Sequence, residues 1–514
     1  MGQSILSRIK ILLILISALL YIQAYPANDY SLLVWIALVP WLIALEKNSW
    51  KINTLLTLFF STIIWLIYLW IPFYDAGLII SNEVFLVSSL TFLHLFTYMI
   101  PFIIVGSIYH HFNTYHIGDT VALASIFTFL SMTIPTLFTF TMVTSLYEHP
   151  LLLQVLDISG SSLLLWIILI VNVSLKNIIL ILWNRENIEE DFFKNSLILI
   201  IVALFVVGYG YWCLDKYAMK KIKNEITIAT IQPNMGSRLH QMSMIRDNKK
   251  STPYSHIELS RKALSENKKI DLIVWPEGGL IVDCDNRAIS RKLSSFTQEI
   301  ATPLMYQCNK CLNIKGLNSC YNQSHYMGIT GKIEAIYNKQ NLIPLFENIP
   351  EVLKKTFIEE GFHNELLFKK GEESRLFYNT HANIIPAICY DAHSTELIKK
   401  GLHLNGELLV IQSNDRIFQK SQIGLFDTAI NIISAVSFRL PMVKSSNSGY
   451  GVFTSSSGEI IKGSLTPLYQ RFISVHTLEL KENFSLYRKY GDWFYLFTLL
   501  MTLYLLINKF FKYR

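Results

Sequence analysis

The sequence has little charge for its length. Asp, Glu, Lys and Arg together make up 16% of the 514 residues, whereas 51% of the residues are hydrophobic. The mean hydropathy of +0.34 is far above the value usual for a water-soluble enzyme. Because the apolar excess is concentrated at the two ends of the chain rather than spread evenly, the composition indicates a membrane protein with one polar domain.

Signals for several classes of ligand are also missing. No basic patch interleaved with aromatic residues suggests nucleic-acid binding, and we attribute the net charge of +7 to membrane topology and a Lys-rich domain surface. The sequence contains neither a glycine-rich phosphate loop nor a His-Glu-His metal spacing, so we expect no nucleotide, no metal and no other cofactor. No internal repeat and no low-complexity linker occurs.

The long apolar runs predict about eight transmembrane helices. Such a helix needs roughly 20 apolar residues to cross a bilayer, and eight runs reach or approach that length. We predict about seven spans in a membrane domain over 1–214, a polar domain over 215–490, and a final span with a short tail over 491–514. A buried or interfacial helix is an alternative for the two shortest runs, 11–24 and 161–175. The eight runs are 11–24, 31–46, 53–73, 84–109, 119–142, 161–175, 195–214 and 492–508.

The distribution of basic residues predicts the orientation of these spans. The connections 25–30, 74–83 and 143–160 contain no Lys or Arg. Cytoplasmic connections carry the excess of basic residues, so we predict that these three loops and the polar domain lie outside the cytoplasm. The basic residues assigned to the inner side are Arg8, Lys10, Lys47, Lys51, Lys176, Arg185, Lys194, Lys509, Lys512 and Arg514.

Four of the six cysteines are candidates for disulfide bonds. Cys213, at the end of the seventh apolar run, is interpreted as a packing residue. Disulfides persist outside the cytoplasm, and an even number of cysteines favours pairing. Free thiols are an alternative, and Cys308-Asn-Lys-Cys311 also has the spacing of a zinc knuckle or a redox pair. The four residues are Cys284, Cys308, Cys311 and Cys320, and their connectivity stays open.

The polar block has the pattern of an α/β domain. Strand-like runs alternate with helical or loop stretches, which argues for layers of sheet and helix. Helical patterns fall near 254–267, 287–301 and 422–438. The strand-like runs are 226–232, 272–275, 303–307, 326–330, 382–388, 407–412, 441–446 and 450–454.

Three residues of this block suit nucleophilic catalysis. Glu277, Lys339 and Cys389 each lie at or just after a strand-like run, namely DLIVW, IEAIY and NIIPAI. A thiol nucleophile needs a base that takes its proton and a positive group where the attacked carbonyl develops negative charge. Side chains at strand ends of a layered sheet can converge, although 62 (339 − 277) and 50 (389 − 339) residues separate these three. We therefore predict a carboxylate, ammonium and thiol triad.

The order of these motifs resembles the Glu-Lys-Cys triad of the nitrilase superfamily. With the flanking apolar runs, the chain is similar to the apolipoprotein N-acyltransferase family. The resemblance implies an α-helical membrane bundle of about eight spans beside a nitrilase-like αββα sandwich domain. The motifs that carry it are TIQPN (230–234), WPE (275–277), YNQS (321–324), YNKQNLIPLFENIP (337–350), ICYD (388–391), SND (413–415) and SSNSGYGVF (445–453).

The resemblance also implies further site residues. Glu347, Tyr390 and Asp391 are expected to bind substrate or to lie directly around the triad, with Asp391 in place of the Glu that is usual there. His393 invites a Cys-His hydrolase as an alternative, but no partnering Asn or Asp motif accompanies it.

The activity implied is a two-step acyl transfer at a bacterial inner membrane, with the catalytic domain in the periplasm. A membrane phospholipid, phosphatidylethanolamine by the family pattern, would donate the acyl chain, and diacylglyceryl apolipoproteins would accept it. Departures from the family pattern at 416–444, including Ser434, Ser437 and Lys444, leave a different amine acceptor open. The pattern is also compatible with a membrane-tethered amidase of the nitrilase type or with a non-enzymatic binding protein that keeps the fold.

Overall fold

The computed structural model describes most of the chain, and its internal contacts divide into two compact units. A helical unit contains Met1–Tyr74, Phe85–Lys216 and Ser485–Arg514, and an α/β unit contains Asp75–Val84 and Tyr217–Phe484. The described residues are 2–26, 28, 30–70, 74, 84–112, 115–184, 189–236, 253–267, 269–278, 283–314, 317–344, 347–348, 367–418 and 421–512.

Fifteen α-helices occur in the described ranges. A π-helical stretch, Thr62–Tyr68, continues the third of them. The helices are α1 (Gly2–Ala24), α2 (Val39–Ala44), α3 (Trp50–Ser61), α4 (Val84–Ile108), α5 (Ile117–Thr133), α6 (Pro150–Leu153), α7 (Leu156–Ser159), α8 (Ser161–Asn184), α9 (Glu189–Ala218), α10 (Tyr254–Glu266), α11 (Arg287–Ile300), α12 (Thr395–His403), α13 (Ile423–Phe438), α14 (Leu486–Tyr490) and α15 (Trp493–Lys512).

The helices of the first unit indicate a membrane-associated protein. Among the residues that the structure describes, four helices are long and apolar enough to cross a bilayer: Ser7–Ala24, Ser88–His111, Ser161–Trp183 and Glu189–Ala218. Shorter apolar helices of 10–17 residues accompany them, including Trp50–Leu66, Ile117–Thr133 and Trp493–Leu505. The total of about eight spans therefore stays a prediction.

Two of the predicted spans are wrong as continuous helices, and proline explains both. The run 31–46 folds as a 3₁₀ turn, Ser31–Trp35, followed by α2. Pro40 lies in the first turn of α2, the one place where its missing N–H is tolerated. The run 119–142 is helical only to Thr133, because Pro135 pushes the residue before it into an extended conformation.

Asn172 of α8 compensates for the break between the 3₁₀ turn and α2. Its side chain accepts a hydrogen bond from Leu38 N at 2.9 Å and donates one to Val34 O at 3.0 Å. Asn172 is fully buried, and backbone groups without partners are strongly unfavourable in a lipid environment. One side-chain amide thus replaces the helical hydrogen bonds that this irregular segment does not form.

We predict that Asn172→Leu, which keeps the branching of the side chain but not its polar atoms, lowers the free energy of unfolding by about 1–3 kcal/mol, because it leaves two buried backbone groups without a partner. Denaturation of the full chain in detergent measures the change. The control is Ile168→Leu on the same helix, which removes no hydrogen bond and should cost less than about 1.5 kcal/mol. Equal stability of Asn172→Leu and wild type would contradict this role.

The strands of the α/β unit form two sheets. One has the order β12-β1-β2-β3-β4-β5, with β6 paired to β4, and the other has the order β11-β10-β9-β8-β7. The strands are β1 (Ile222–Gln232), β2 (Leu272–Val274), β3 (Leu304–Ile314), β4 (Leu317–Met327), β5 (Ile333–Asn338), β6 (Leu367–Phe368), β7 (Phe377–Tyr378), β8 (Asn383–Ile388), β9 (Leu408–Ser413), β10 (Met442–Ser446), β11 (Val452–Thr454) and β12 (Phe472–Lys481).

The alternation of side chains along β1 builds the layers of this unit. Ile226 and Ile228 enter the core between the two sheets, whereas Ala229 and Ile231 join a second core with α10 and α11. On the far side, α12 packs on β8 at Gly401, where an added Cβ would lie only 2.7 Å from the side chain of Ile385. Helix α13 packs on β10, so the layers run helix, sheet, sheet, helix.

Some strands differ from the sequence-based prediction. The predicted strand 326–330 is wrong beyond Met327, because a tight turn follows in which Gly331 has φ +71°. Strand β12 and helix α12 were not predicted. Residues of β12 are mostly only partly buried, so its sequence lacks a continuous apolar run. Helix α12 is nine residues long, too short for a clear 3.6-residue period.

Candidate active site

Three strand ends position the predicted triad. Glu277 lies three residues after β2, and Lys339 directly follows β5 of the same sheet. Cys389 directly follows β8 of the other sheet and begins a 3₁₀ turn, Cys389–His393. Because the two sheets face each other across one core, these ends lie at one edge of the sandwich. The structure brings all three residues together.

Lys339 lies at the centre of the site. Its side chain is fully buried, and its Nζ is 2.8 Å from Glu347 Oε1 and 3.6 Å from Glu277 Oε1. Burial lowers the pKa of Lys339, but the two carboxylates outweigh this effect and hold the pKa well above its ordinary value. The lysine is therefore an ammonium ion, and both carboxylates are oriented around it.

Glu277 and Cys389 interact directly. The Cys389 thiol and the Glu277 carboxylate share a hydrogen bond, and Asn322 Nδ2 donates to Glu277 Oε1 at 2.7 Å. Burial raises the pKa of Glu277 against the opposing effect of Lys339. Burial also raises the pKa of Cys389, and the Glu277 charge raises it further. The resting sulfur is thus a protonated thiol beside the Glu277 carboxylate.

The backbone at Cys389 is strained. Its φ of +49° lies in the left-handed region, which is costly for a residue with a Cβ, by about 1–3 kcal/mol. Such strain persists only where the surroundings hold it, and it is common at nucleophiles on tight turns after a strand. Asp391 provides part of this support, because its Oδ2 accepts a hydrogen bond from Ile388 N at 3.1 Å.

Asp391 links the cysteine turn to the lysine segment. Its Oδ1 accepts from Gln340 N at 3.1 Å and from Asn341 N at 2.6 Å, and its Oδ2 also accepts from the Tyr337 hydroxyl at 2.9 Å. Burial raises the pKa of Asp391 to about 6. The carboxylate is only 1% exposed, and these hydrogen bonds are all internal, so its role in the structure is to position the backbone on which Lys339 and Cys389 lie.

Glu347 and Tyr390 border the triad. Glu347 Oε2 accepts from Ile343 N at 2.9 Å while its other oxygen holds Lys339. The Tyr390 carbonyl accepts from Asn341 Nδ2 at 3.0 Å. The Tyr390 ring is partly exposed and stacks on His393 with 5.0 Å between ring centroids. Both residues thus lie next to Lys339 or Cys389.

Sequence reasoning missed the amide side chains that hold Glu277 and its neighbours in place. Gln307 Oε1 accepts from Gly278 N at 2.9 Å, and Gln307 Nε2 donates to Asn322 Oδ1 at 2.8 Å. Gln412 of β9 donates to the Trp275 carbonyl at 2.7 Å. An isolated Gln or Asn within a strand carries no signal of such a role, except that Asn322 falls in the YNQS motif.

The four candidate cysteines form two disulfides. Cys284 pairs with Cys308, and Cys311 pairs with Cys320 across the β3–β4 hairpin. His325 adjoins the first disulfide, with its Nε2 at 3.6 Å from Cys308 Sγ. While the sulfurs are bonded to each other, they offer no thiolate to a metal. The Cys284–Cys308 bridge ties the segment at Cys284, seven residues after Glu277 in the sequence, to the strand that carries Gln307.

His393 has an acidic partner that no motif of the sequence indicates. His393 Nε2 lies 2.6 Å from Asp427 Oδ1, and both side chains are buried. Asp427 lies on α13, 34 residues away in sequence, and no spacing rule connects the two positions.

The α/β unit is matched by a known family. Residues 227–447 match the family model of the carbon-nitrogen hydrolases. This match covers the strands and loops that carry Glu277, Lys339 and Cys389. The α/β unit is therefore a carbon-nitrogen hydrolase domain with the nitrilase-like fold.

Known relatives define the family more narrowly. An apolipoprotein N-acyltransferase of Geobacter metallireducens is 25% identical to this chain, over 67% of this chain and 64% of that protein. Apolipoprotein N-acyltransferase 1 of Treponema denticola is 22% identical over 98% of this chain and 97% of that protein. The solved structure of Nit3 of Saccharomyces cerevisiae, in the nitrilase superfamily, is 16% identical over 50% of this chain and 91% of that one, with a TM-score of 0.38. By these matches the chain is a relative of the apolipoprotein N-acyltransferases that contains a carbon-nitrogen hydrolase domain.

We predict that the double substitution Cys284→Ser and Cys308→Ser slows alkylation of Cys389 by iodoacetamide several-fold at neutral pH. The loosened segment would hold Glu277 less well against the thiol. Mass spectrometry of the Cys389 peptide measures the rate. The matched control replaces Cys311 and Cys320 with Ser, which opens a disulfide without touching that segment. Equal rates in the two double variants would show that the Cys284–Cys308 bridge has no role at the site.

Proposed function

We propose that this protein transfers an acyl chain from a membrane phospholipid, through a thioester on Cys389, to the N-terminal amine of S-diacylglyceryl-cysteine lipoproteins. This is the last step of lipoprotein maturation. The observation that carries the proposal is the buried Lys339 ammonium, held between two carboxylates of which one, Glu277, is hydrogen-bonded to the Cys389 thiol. The names of the relatives support the class of acceptor.

The first half-reaction acylates the cysteine. Glu277 takes the thiol proton as the sulfur attacks the ester carbonyl of the phospholipid, by family resemblance the sn-1 ester of phosphatidylethanolamine. The negative charge that develops on the carbonyl oxygen is stabilised by the Lys339 ammonium. When the intermediate collapses, the C–O bond breaks, Glu277 returns the proton to the leaving alkoxide, and a lysophospholipid departs.

The second half-reaction transfers the acyl group to the lipoprotein. The α-amine of the diacylglyceryl cysteine attacks the thioester carbonyl, and the oxyanion forms again beside Lys339. Glu277 accepts a proton from the amine, and the C–S bond breaks to release the amide product. The sulfur regains a proton from Glu277, which restores the resting thiol. Glu347 keeps Lys339 in place through both steps, since it makes the shorter of the two contacts with the ammonium.

The membrane helices suit an enzyme with two lipid substrates. Moving an acyl chain into water costs roughly 0.8 kcal/mol for each CH₂, so the nucleophile of such an enzyme should work at a bilayer surface. We place the chain in the bacterial inner membrane as a multi-pass protein, with the carbon-nitrogen hydrolase domain in the periplasm. The basic residues in alternate connections and the disulfides of the domain support this orientation.

We predict that phosphatidylethanolamine adds one acyl mass to the purified protein and that hydroxylamine removes it. The adduct should be absent in Cys389→Ala, which has no sulfur to acylate. Glu277→Gln loses the base, and the adduct should form at least about 10² times more slowly. Lys339→Ala loses the charge that stabilises the oxyanion, and the adduct should form about 10²–10³ times more slowly. Intact-mass spectrometry over time measures the adduct.

The acceptor is tested with the same protein. Acylated wild-type enzyme is mixed with a diacylglyceryl-cysteine peptide or with a water-soluble amine. Transfer to the peptide alone supports the proposal. Acyl adduct without peptide modification would point to another amine acceptor, and turnover of a soluble amide without phospholipid would point to an amidase. An adduct that persists in Cys389→Ala would rule out this nucleophile.

The orientation predicts the activity of reporter fusions. Alkaline phosphatase folds only outside the cytoplasm, so a fusion after Ile300 should be active and one after Glu190 should be inactive. Green fluorescent protein exported in unfolded form does not fluoresce, so the same two fusion points should give the reverse pattern. An inactive phosphatase with bright fluorescence at Ile300 would place the domain in the cytoplasm and overturn the assignment.

A further inference from the structure

A second buried lysine lies between two carboxylates, outside the triad. Lys444 of β10 has no exposed side-chain area, and its Nζ is 2.5 Å from Asp427 Oδ2 and 3.1 Å from Asp415 Oδ2. His393 extends the chain of contacts, because its Nε2 is 2.6 Å from Asp427 Oδ1. The four side chains form one buried network, which we call the Asp-Lys-Asp-His network: Asp415, Lys444, Asp427 and His393.

Asp427 is a carboxylate whose two oxygens both have partners. A carboxylate only accepts hydrogen bonds, so the His393 Nε2–H is the donor to Oδ1. Burial raises the pKa of Asp427, but Lys444 and His393 outweigh burial and hold the pKa below its ordinary range. Asn431 Nδ2 also donates to Oδ2 at 3.2 Å. Without His393, the buried Oδ1 of the negatively charged Asp427 carboxylate would lose this hydrogen-bond donor.

One 3₁₀ turn connects the Asp-Lys-Asp-His network to Cys389, the proposed nucleophile. Cys389 and His393 are the first and last residues of the same 3₁₀ turn, and the Tyr390 ring stacks on the His393 ring. The charge of Asp427 acts on Cys389 and on Tyr390, in each case opposing loss of their protons. A negative charge that is not fully compensated at Asp427 would therefore oppose formation of the Cys389 thiolate.

We propose that His393 is a positioning residue that keeps the Asp427 carboxylate bonded within the Asp-Lys-Asp-His network, so that its charge is directed away from the cysteine nucleophile. The proposal rests on Cys389 as the nucleophile of the proposed function, but it concerns groups that take no part in the triad. It predicts a signature that general destabilisation does not produce: the effect of losing His393 should disappear when the charge of Asp427 is removed as well.

The charged and titratable groups around the pair come from three elements. Lys444 faces Asp427 from β10, Asp415 approaches through Lys444 from the turn after β9, and Cys389 and Tyr390 share the turn of His393. Lys444 and Asp415 stay unchanged in every variant below, so the comparison isolates the His393–Asp427 contact. The reagent is iodoacetamide, which needs the thiolate but neither lipid nor lipoprotein.

The test is a double-mutant cycle on Cys389 alkylation as a function of pH. His393→Phe keeps the ring that stacks on Tyr390 and removes the donor, so alkylation at neutral pH should fall about tenfold, which is a shift of about one pH unit in the profile. Asp427→Asn should alkylate at least as fast as wild type. The double variant His393→Phe with Asp427→Asn should recover most of the alkylation rate that His393→Phe loses. His381→Phe is the matched control, because it removes another His–Asp contact of this unit and should leave the profile unchanged.

Unfolding midpoints of all variants are measured alongside. A rate in the double variant as low as in His393→Phe would overturn the proposal, as would a normal rate in His393→Phe. Acylation by phosphatidylethanolamine is then followed in the same variants and should slow in the same ratio. If wild type alkylates but never acylates, the proposed function fails while the cycle still decides the role of His393.

Discussion

The buried ammonium of Lys339 is the interaction on which the candidate site depends. Removing a charge from water costs several kcal/mol unless opposite charges and hydrogen bonds compensate it. Two carboxylates do so here, Glu277 after β2 and Glu347 in the segment beyond β5. The lysine therefore requires both segments to stay in place, and the site is organised before any substrate arrives.

The rest of the site can be understood as support for that one charge and for the cysteine beside it. Asp391 fastens the backbone after β5 to the turn that holds Cys389. Gln307 and Asn322 of the β3–β4 hairpin hold Gly278 and Glu277, and two disulfides brace the same region. Each of these contacts is internal and hydrogen-bonded, as buried polar groups require. Strain at Cys389 can persist only within such a framework.

A buried lysine between two carboxylates occurs twice in the α/β unit. Lys339 and Lys444 are both fully buried, and each lies between two carboxylates. The first group contains the proposed base, whereas the second adds His393, which closes the 3₁₀ turn that begins at Cys389. In both, a lysine compensates carboxylates that would otherwise raise the cost of forming a thiolate. The reactivity of Cys389 therefore depends on charged residues of both networks and not only on its immediate neighbours.

The sequence alone determined the two kinds of unit, most strands of the sandwich and the choice of Glu277, Lys339 and Cys389 as candidates, because apolar runs, strand-end polar residues and motif order are local properties. The apolar runs 31–46 and 119–142 were predicted as continuous helices from their length and composition. Pro40 and Pro135 interrupt these helices, but apolar length alone does not show where a helix ends. Only the tertiary structure decided the pairing of Cys284 with Cys308, the amide support from Gln307, and the partner of His393. Those contacts join residues far apart in the chain, and no local pattern encodes which distant side chain will fill the space beside a buried charge.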